Sequence, residues 1–128
     1  MERKDNERKA LGRAGEDIAA AMLEGRGMSV IARNYRAGRN EIDLICKDGG
    51  DLRFVEVKAR KLPMEGEAWE AVDGAKQSRI VKAAKTFLAT GGVRCEESHF
   101  DIVTVVWTAD GSRYEVEYIH DAFYPIFV

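Results

Sequence analysis

The sequence predicts an α/β fold, a mixed sheet flanked by helices in the order αβββαβ with one further strand. Three observations carry it. Helical apolar periodicity recurs on either side of a run of short alternating segments. A Gly49-Gly50 pair between two alternating runs marks a tight hairpin. A helix between the third and fourth strands permits a parallel crossover. With 128 residues and 45% hydrophobic content, residues 1–128 are expected to form one domain with a substantial core.

Residues 6–25 read as the first helix, with Leu11, Ala14, Ile18 and Met22 as its apolar stripe, capped by Asp5 or Asn6 and stopped by Gly25 and Gly27. Residues 1–5 are expected to be disordered. Glu16 falls away from that stripe, beside Gly12, Ala19, Ala20 and Leu23, an uncommon setting for an acid; on the helix pattern alone it is a surface glutamate. Residues 28–36 form the first strand, and the hairpin supplies the second and third. Residues 61–72, with Pro63 and Gly66, read as a mobile linker. Asp73 caps a second helix reaching Ala89, with Ile80, Val81, Ala84, Phe87 and Leu88 as its core stripe. Residues 99–107 are apolar on both faces, as a central strand is, and 113–119 form a fifth strand. The apolar end, residues 123–128, is expected to dock on the body or on a partner.

The hairpin concentrates the chemistry. Alternation puts Glu41, Asp43 and Ile45 on one face and Ile42, Leu44 and Cys46 on the other; across from them Phe54, Glu56 and Lys58 oppose Val55, Val57 and Ala59. A two-residue loop with positive φ at both glycines pairs Asp48 with Asp51, Leu44 with Val55 and Ile42 with Val57. Asp43 then faces Glu56, and Glu41 faces Lys58. A one-residue slip would bury the acids, which selects this register. Like charges placed opposite each other repel, and a divalent cation would remove that penalty. As a bare pattern, an exposed strand face with a Glu41–Lys58 ion pair is the commoner meaning.

Net charge is −2 and the pI is about 5.8, which argues against a uniformly basic nucleic-acid binder. Basic residues nevertheless outnumber acids in residues 1–40, and Lys76, Arg79, Lys82 and Lys85 carry no acid among them. Cys46 and Cys95 lack the spacing of a zinc site or a disulfide framework. No apolar run approaches the ~20 residues of a membrane span, so a cytoplasmic protein without membrane attachment is expected.

Gly15-Glu16, Arg33-Asn34-Tyr35-Arg36, Glu41-Ile42-Asp43-Leu44-Ile45, Phe54-Val55-Glu56-Val57-Lys58 with Arg60, Lys76-Gln77 and Phe100-Asp101 resemble, in this order, the bacterial YraN-type family of uncharacterised proteins. That family is in turn similar to Holliday-junction resolvases of the PD-(D/E)xK nuclease superfamily. The resemblance runs from Leu11 to about Phe123 and implies a restriction-endonuclease-like core. It implies Mg²⁺ (or Mn²⁺) held by Asp43, Glu56 and the Val57 carbonyl, with Glu16 acting directly or through water. Lys58 would orient or deprotonate the attacking water, and Gln77 would position water or phosphate. Arg33, Arg36, Arg60 and Lys76 are the implied nucleic-acid contacts, and DNA, in particular branched DNA, is the implied substrate. By analogy with resolvases the implied assembly is a homodimer.

Two departures stand out. Asn40 replaces the usual Gly before Glu-Ile-Asp, and His99 replaces the usual Arg before Phe-Asp, removing a cation expected near the site. Asp101 is expected to be a structural hydrogen-bonding group. Rival readings are a non-catalytic nucleic-acid-binding module on a nuclease fold and a protein-interaction domain using the apolar tail.

Overall fold

Two alternating segments joined by Gly49 and Gly50 become the central hairpin of a computed structural model, which describes residues 2–63 and 73–125. The elements are α1 (Glu2–Gly25), β1 (Ser29–Ala37), β2 (Asn40–Asp48), β3 (Asp51–Lys61), α2 (Gly74–Thr90), β4 (Ser98–Trp107) and β5 (Tyr114–Phe123). The strands form one sheet in the order β1-β2-β3-β4-β5, antiparallel except for the β3–β4 pair. The parallel pair is the one joined through α2, as the crossover argument requires. The mixed α/β architecture predicted from the sequence is therefore present, and it is consistent with a restriction-endonuclease-like core.

The helices cover opposite faces. Ile80, Ala83, Ala84 and Phe87 of α2 pack on Ile42, Ile45, Leu52, Phe54, Phe100 and Phe123. Tyr35 meets the Phe87 ring edge-on at 5.2 Å, and Phe100 stacks between Phe54 and Phe123 at 5.5 and 5.2 Å. Leu88, expected in the α2 stripe, is exposed, and Ala83 takes its place. On the other face Ala19, Ala20 and Leu23 of α1 pack on Leu44, Cys46, Val55, Val103 and Val105. Ile18 and Met22 only flank that cluster, so the buried face of α1 is the small-residue face on which Glu16 lies. Gly15 explains why: a Cβ there would come within 2.8 Å of the Ala59 Cβ. The larger residues suggested the wrong stripe, because close approach of α1 to β3 favours small side chains.

Helix α1 begins at Glu2, earlier than the expected residue 6, and β5 continues to Phe123. The Asp73 cap of α2 is as expected, its Oδ1 accepting the Lys76 N–H at 2.8 Å. In the hairpin, positive φ occurs at Gly49 alone (60°), as a type II′ turn requires. Most of the expected linker and the tail beyond Pro125 lie outside the described residues.

Candidate metal-binding and catalytic site

Hairpin pairing follows the predicted register from Asp48–Asp51 to Leu44–Val55 and stops there. Beyond it the Asp43 Oδ2 accepts the Val57 N–H at 2.7 Å. Counting from the turn, Val57 would form a hydrogen-bonded pair with Ile42; the carboxylate takes that place. Alternation in β2 breaks at the same point. Ile42 and Ile45 both belong to the core under α2, while Leu44 belongs to the core under α1, which corrects the expectation that Ile42 and Leu44 share a face. Opposite Asp43 in the β1–β2 register stands Asn34, whose φ is 51°. Asn tolerates this left-handed conformation better than most residues. The β2–β3 ladder ends at these paired irregularities, and Glu16 of α1 joins Asp43 and Glu56 there.

Asp43 is the most perturbed of these groups. Burial, followed by the Glu56 charge, pushes its carboxyl from 3.8 up to about 8, against the Val57 hydrogen bond; Glu16 adds repulsion, and a hydrogen bond to Glu56 also favours the protonated form. Glu56 is itself buried, at 7% exposure. Glu16 joins from α1. Burial raises its carboxyl, although a side-chain hydrogen bond from Asn34 and the Arg33 charge oppose the shift. Asn34 is thus a site residue to which the sequence reading assigned no role. Its signal was an Asn in the middle of an otherwise extended strand.

The cations divide. Lys58 pairs in the ladder with Thr104, and its ammonium makes no hydrogen bond or ion pair with another described residue. Lys76 reaches back from α2 to Glu56, Nζ to Oε1 at 3.0 Å, and so points into the site. Gln77 follows it in the same turn, its N–H bonded to the Asp73 carbonyl at 2.9 Å. Arg33 is engaged by Asp17 of α1 at 2.6 Å, Arg36 lies 3.9 Å from Glu41, and Arg60 bonds the Ala59 carbonyl at 2.8 Å. The expected Glu41–Lys58 pair is not formed, because the hairpin ladder ends before it and Glu41 leans toward Arg36.

Asp101 shows what a structural carboxylate looks like in the same sheet. Fully buried, it accepts from Arg53, the Tyr118 hydroxyl (2.6 Å) and the Asp121 N–H (2.8 Å). Among the described residues Asp101 is surrounded by donors, whereas Asp43 has the Val57 N–H and two neighbouring acids. That contrast separates a packing group from a candidate cation ligand.

His99 does not stand beside Asp43 and Glu56. It pairs with Arg53, three residues along β3 from Glu56 and therefore about 10 Å away. There it joins Asp121 through Nδ1 (2.6 Å) and Asp51 through Nε2 (2.9 Å), so the His99 departure leaves the site's own cations untouched. Asp51, Glu97 and His99 have ligand atoms within 4.8 Å of one another, but both imidazole nitrogens already have carboxylate partners.

The donor set at Asp43 and Glu56 fits a hard divalent cation. Two adjacent buried carboxylates hold a proton that such an ion would replace, and oxygen donors are what Mg²⁺ and Mn²⁺ prefer. The Val57 carbonyl lies on the same strand edge as its N–H and can add a third oxygen.

A family model described as "Uncharacterised protein family UPF0102" matches residues 15–105, a span containing every residue placed at this site. Among similar curated proteins, a UPF0102 protein of Chlorobium chlorochromatii is 43% identical, covering 89% of this chain and 91% of its own. One from Chlorobium limicola is 41% identical over 94% and 96%, and one from Symbiobacterium thermophilum is 44% identical over 89% and 96%.

Proposed function

The chain belongs to the uncharacterised protein family UPF0102, the YraN-type family, and we propose that it is a metal-dependent endonuclease-like hydrolase of DNA phosphodiester bonds, with branched DNA as the favoured substrate. The observation that carries this reading is the pair of buried acids at the end of the β2–β3 ladder, with the Asp43 carboxyl raised to about 8 beside Glu56.

Asp43, Glu56 and the Val57 carbonyl would hold Mg²⁺ or Mn²⁺, with Glu16 completing the charge directly or through water. The bound ion would supply Lewis-acid polarisation of a phosphoryl oxygen and a more acidic water. Lys58, two residues beyond Glu56 on the same strand and with no side-chain partner among the described residues, orients the attacking water, and its neutral amine form would take that water's proton at Nζ. Its ammonium then balances charge developing on the phosphoryl oxygens. Gln77 orients water or phosphate from the first turn of α2. Arg36 and Arg60 are exposed and serve as backbone contacts, while Arg33 first holds α1 to β1 through Asp17. A homodimer would present two such sites to a branched substrate.

One observation favours a second reading, a nucleic-acid-binding module without turnover: the Lys76–Glu56 pair already neutralises one of the acids. The test is cleavage of linear, flapped and four-way DNA in Mg²⁺ or Mn²⁺ by the native protein, Glu56→Gln and Lys58→Ala. Metal-dependent products from the native protein alone support the hydrolase. Binding of DNA without cleavage at any metal concentration supports the module and refutes the hydrolase.

A further inference from the structure

We propose that Lys76 is an internal counter-ion that competes with the metal for Glu56, so that metal entry releases its ammonium from the site. This inference rests on the metal-site reading above and adds to it a role for a residue expected to touch only nucleic acid.

Lys76 is in an unusual place. It lies in the first turn of α2, where the helix dipole favours acids and disfavours cations, and no acidic residue occupies that turn. The Asp73 cap fixes its backbone, with the Lys76 N–H on Oδ1 at 2.8 Å. From there the side chain extends to the Glu56 Oε1 at 3.0 Å, where the carboxylate is 8% exposed and the lysine 41%. A lysine set against the helix dipole and aimed at a nearly buried carboxylate makes sense as compensation for that carboxylate.

The same contact uses an oxygen that a metal ion needs. A dication bound by Asp43 and Glu56 would stand within a few ångströms of Nζ and repel it, and Oε1 cannot serve both cations in full. Among the described residues Lys76 is held by its backbone and by this ion pair, and its side chain is 41% exposed, so the ammonium can exchange Glu56 for solvent. The released ammonium then stands at the rim of the site, beside Gln77, as a cation for the substrate's phosphate. Lys76 therefore acts as a positioning residue in two states: it holds Glu56 in the metal-free protein and presents charge to substrate in the loaded one. Lys58, which has no such partner among the described residues, does not share this switch.

The experiment is Mn²⁺ binding to protein stripped with chelator, measured by calorimetry and by the spin-resonance signal of free Mn²⁺, for the native chain, Lys76→Met, Lys76→Gln and Lys76→Arg. Removing the competing cation should tighten Mn²⁺ binding on the order of tenfold in both neutral variants. Lys76→Arg, which keeps the charge, should stay near native. A residue with a merely structural role would give weaker binding when removed. Equal or weaker affinity in both neutral variants, with Mn²⁺ bound by the native protein, overturns the counter-ion role and leaves the metal site standing. Binding by neither native nor variant protein overturns both. Binding only by the neutral variants supports the proposal in its strongest form.

Discussion

Asp43→Asn isolates the charge problem at the centre of the site. Asparagine keeps an oxygen for the Val57 N–H and a donor toward Glu56, so it imitates the protonated acid without being able to ionise. In the native metal-free protein the unfolded chain releases this proton near 3.8 and the folded chain holds it to about 8. Unfolding therefore releases a proton throughout that window, and rising pH favours the unfolded state. The contribution is fully present below 3.8 and is lost as pH climbs to about 8. One proton released corresponds to about 1.4 kcal/mol per pH unit, or about 3 kcal/mol between pH 5 and pH 7. That is a large share of the ~5–15 kcal/mol of a typical domain. Denaturant unfolding in chelator at several pH values should thus show native stability falling relative to Asp43→Asn as pH rises. Saturating Mg²⁺ or Mn²⁺ should remove most of the native slope and leave the variant unchanged. Parallel native and variant curves in chelator would refute the placement of Asp43 against Glu56 and Glu16.

Four further outcomes are expected. Gly15→Val should destabilise the fold by about 1–3 kcal/mol, because its Cβ meets that of Ala59; Ala59→Gly in the same chain should restore part of the loss in thermal melts. Asp101→Ala should cost about 3 kcal/mol or more by stranding Arg53 and Tyr118, measured in urea, whereas Lys58→Ala should leave stability nearly unchanged. For His99, burial opposes protonation, but its bonds to Asp51 and Asp121 outweigh that and raise its pKa above 6.5. Its stabilising share is full below 6.5 and lost as pH rises through the higher folded value, so the gap between native and His99→Gln melts should narrow from pH 6 to pH 9. Burial pushes the Cys46 thiol up to about 12, so a thiol reagent should label Cys95 first and Cys46 only at the rate of unfolding.

Much was legible in the letters because the relevant signals are local. Strand alternation and the Gly49-Gly50 turn specified the hairpin register from Asp48 to Leu44, and Asp73 specified where α2 starts. Asp101 was recognisable as structural because an acid in a strand apolar on both faces must find donors within the protein. The errors arose where tertiary contacts override local pattern. The stripe of large residues on α1 was the wrong face, since the distance between α1 and β3 is governed by Gly15 meeting Ala59. The Ile42 face was wrong because Asn34 and Asp43 break alternation in two neighbouring strands together, and alternation rules assume that neither does.

The sequence by itself determined the element order, the mixed sheet, and the placing of Asp43, Glu56 and Lys58 on one hairpin, because these follow from periodicity and turn chemistry. Only the tertiary structure decided how those residues are used. It ended the ladder at Asp43, brought Glu16 from one face and Lys76 from the other, and sent His99 to Asp51 and Asp121. The physical reason is that a carboxylate's state depends on its neighbours. Donors around Asp101 make it structural, while burial and the acids around Asp43 hold its carboxyl up at about 8.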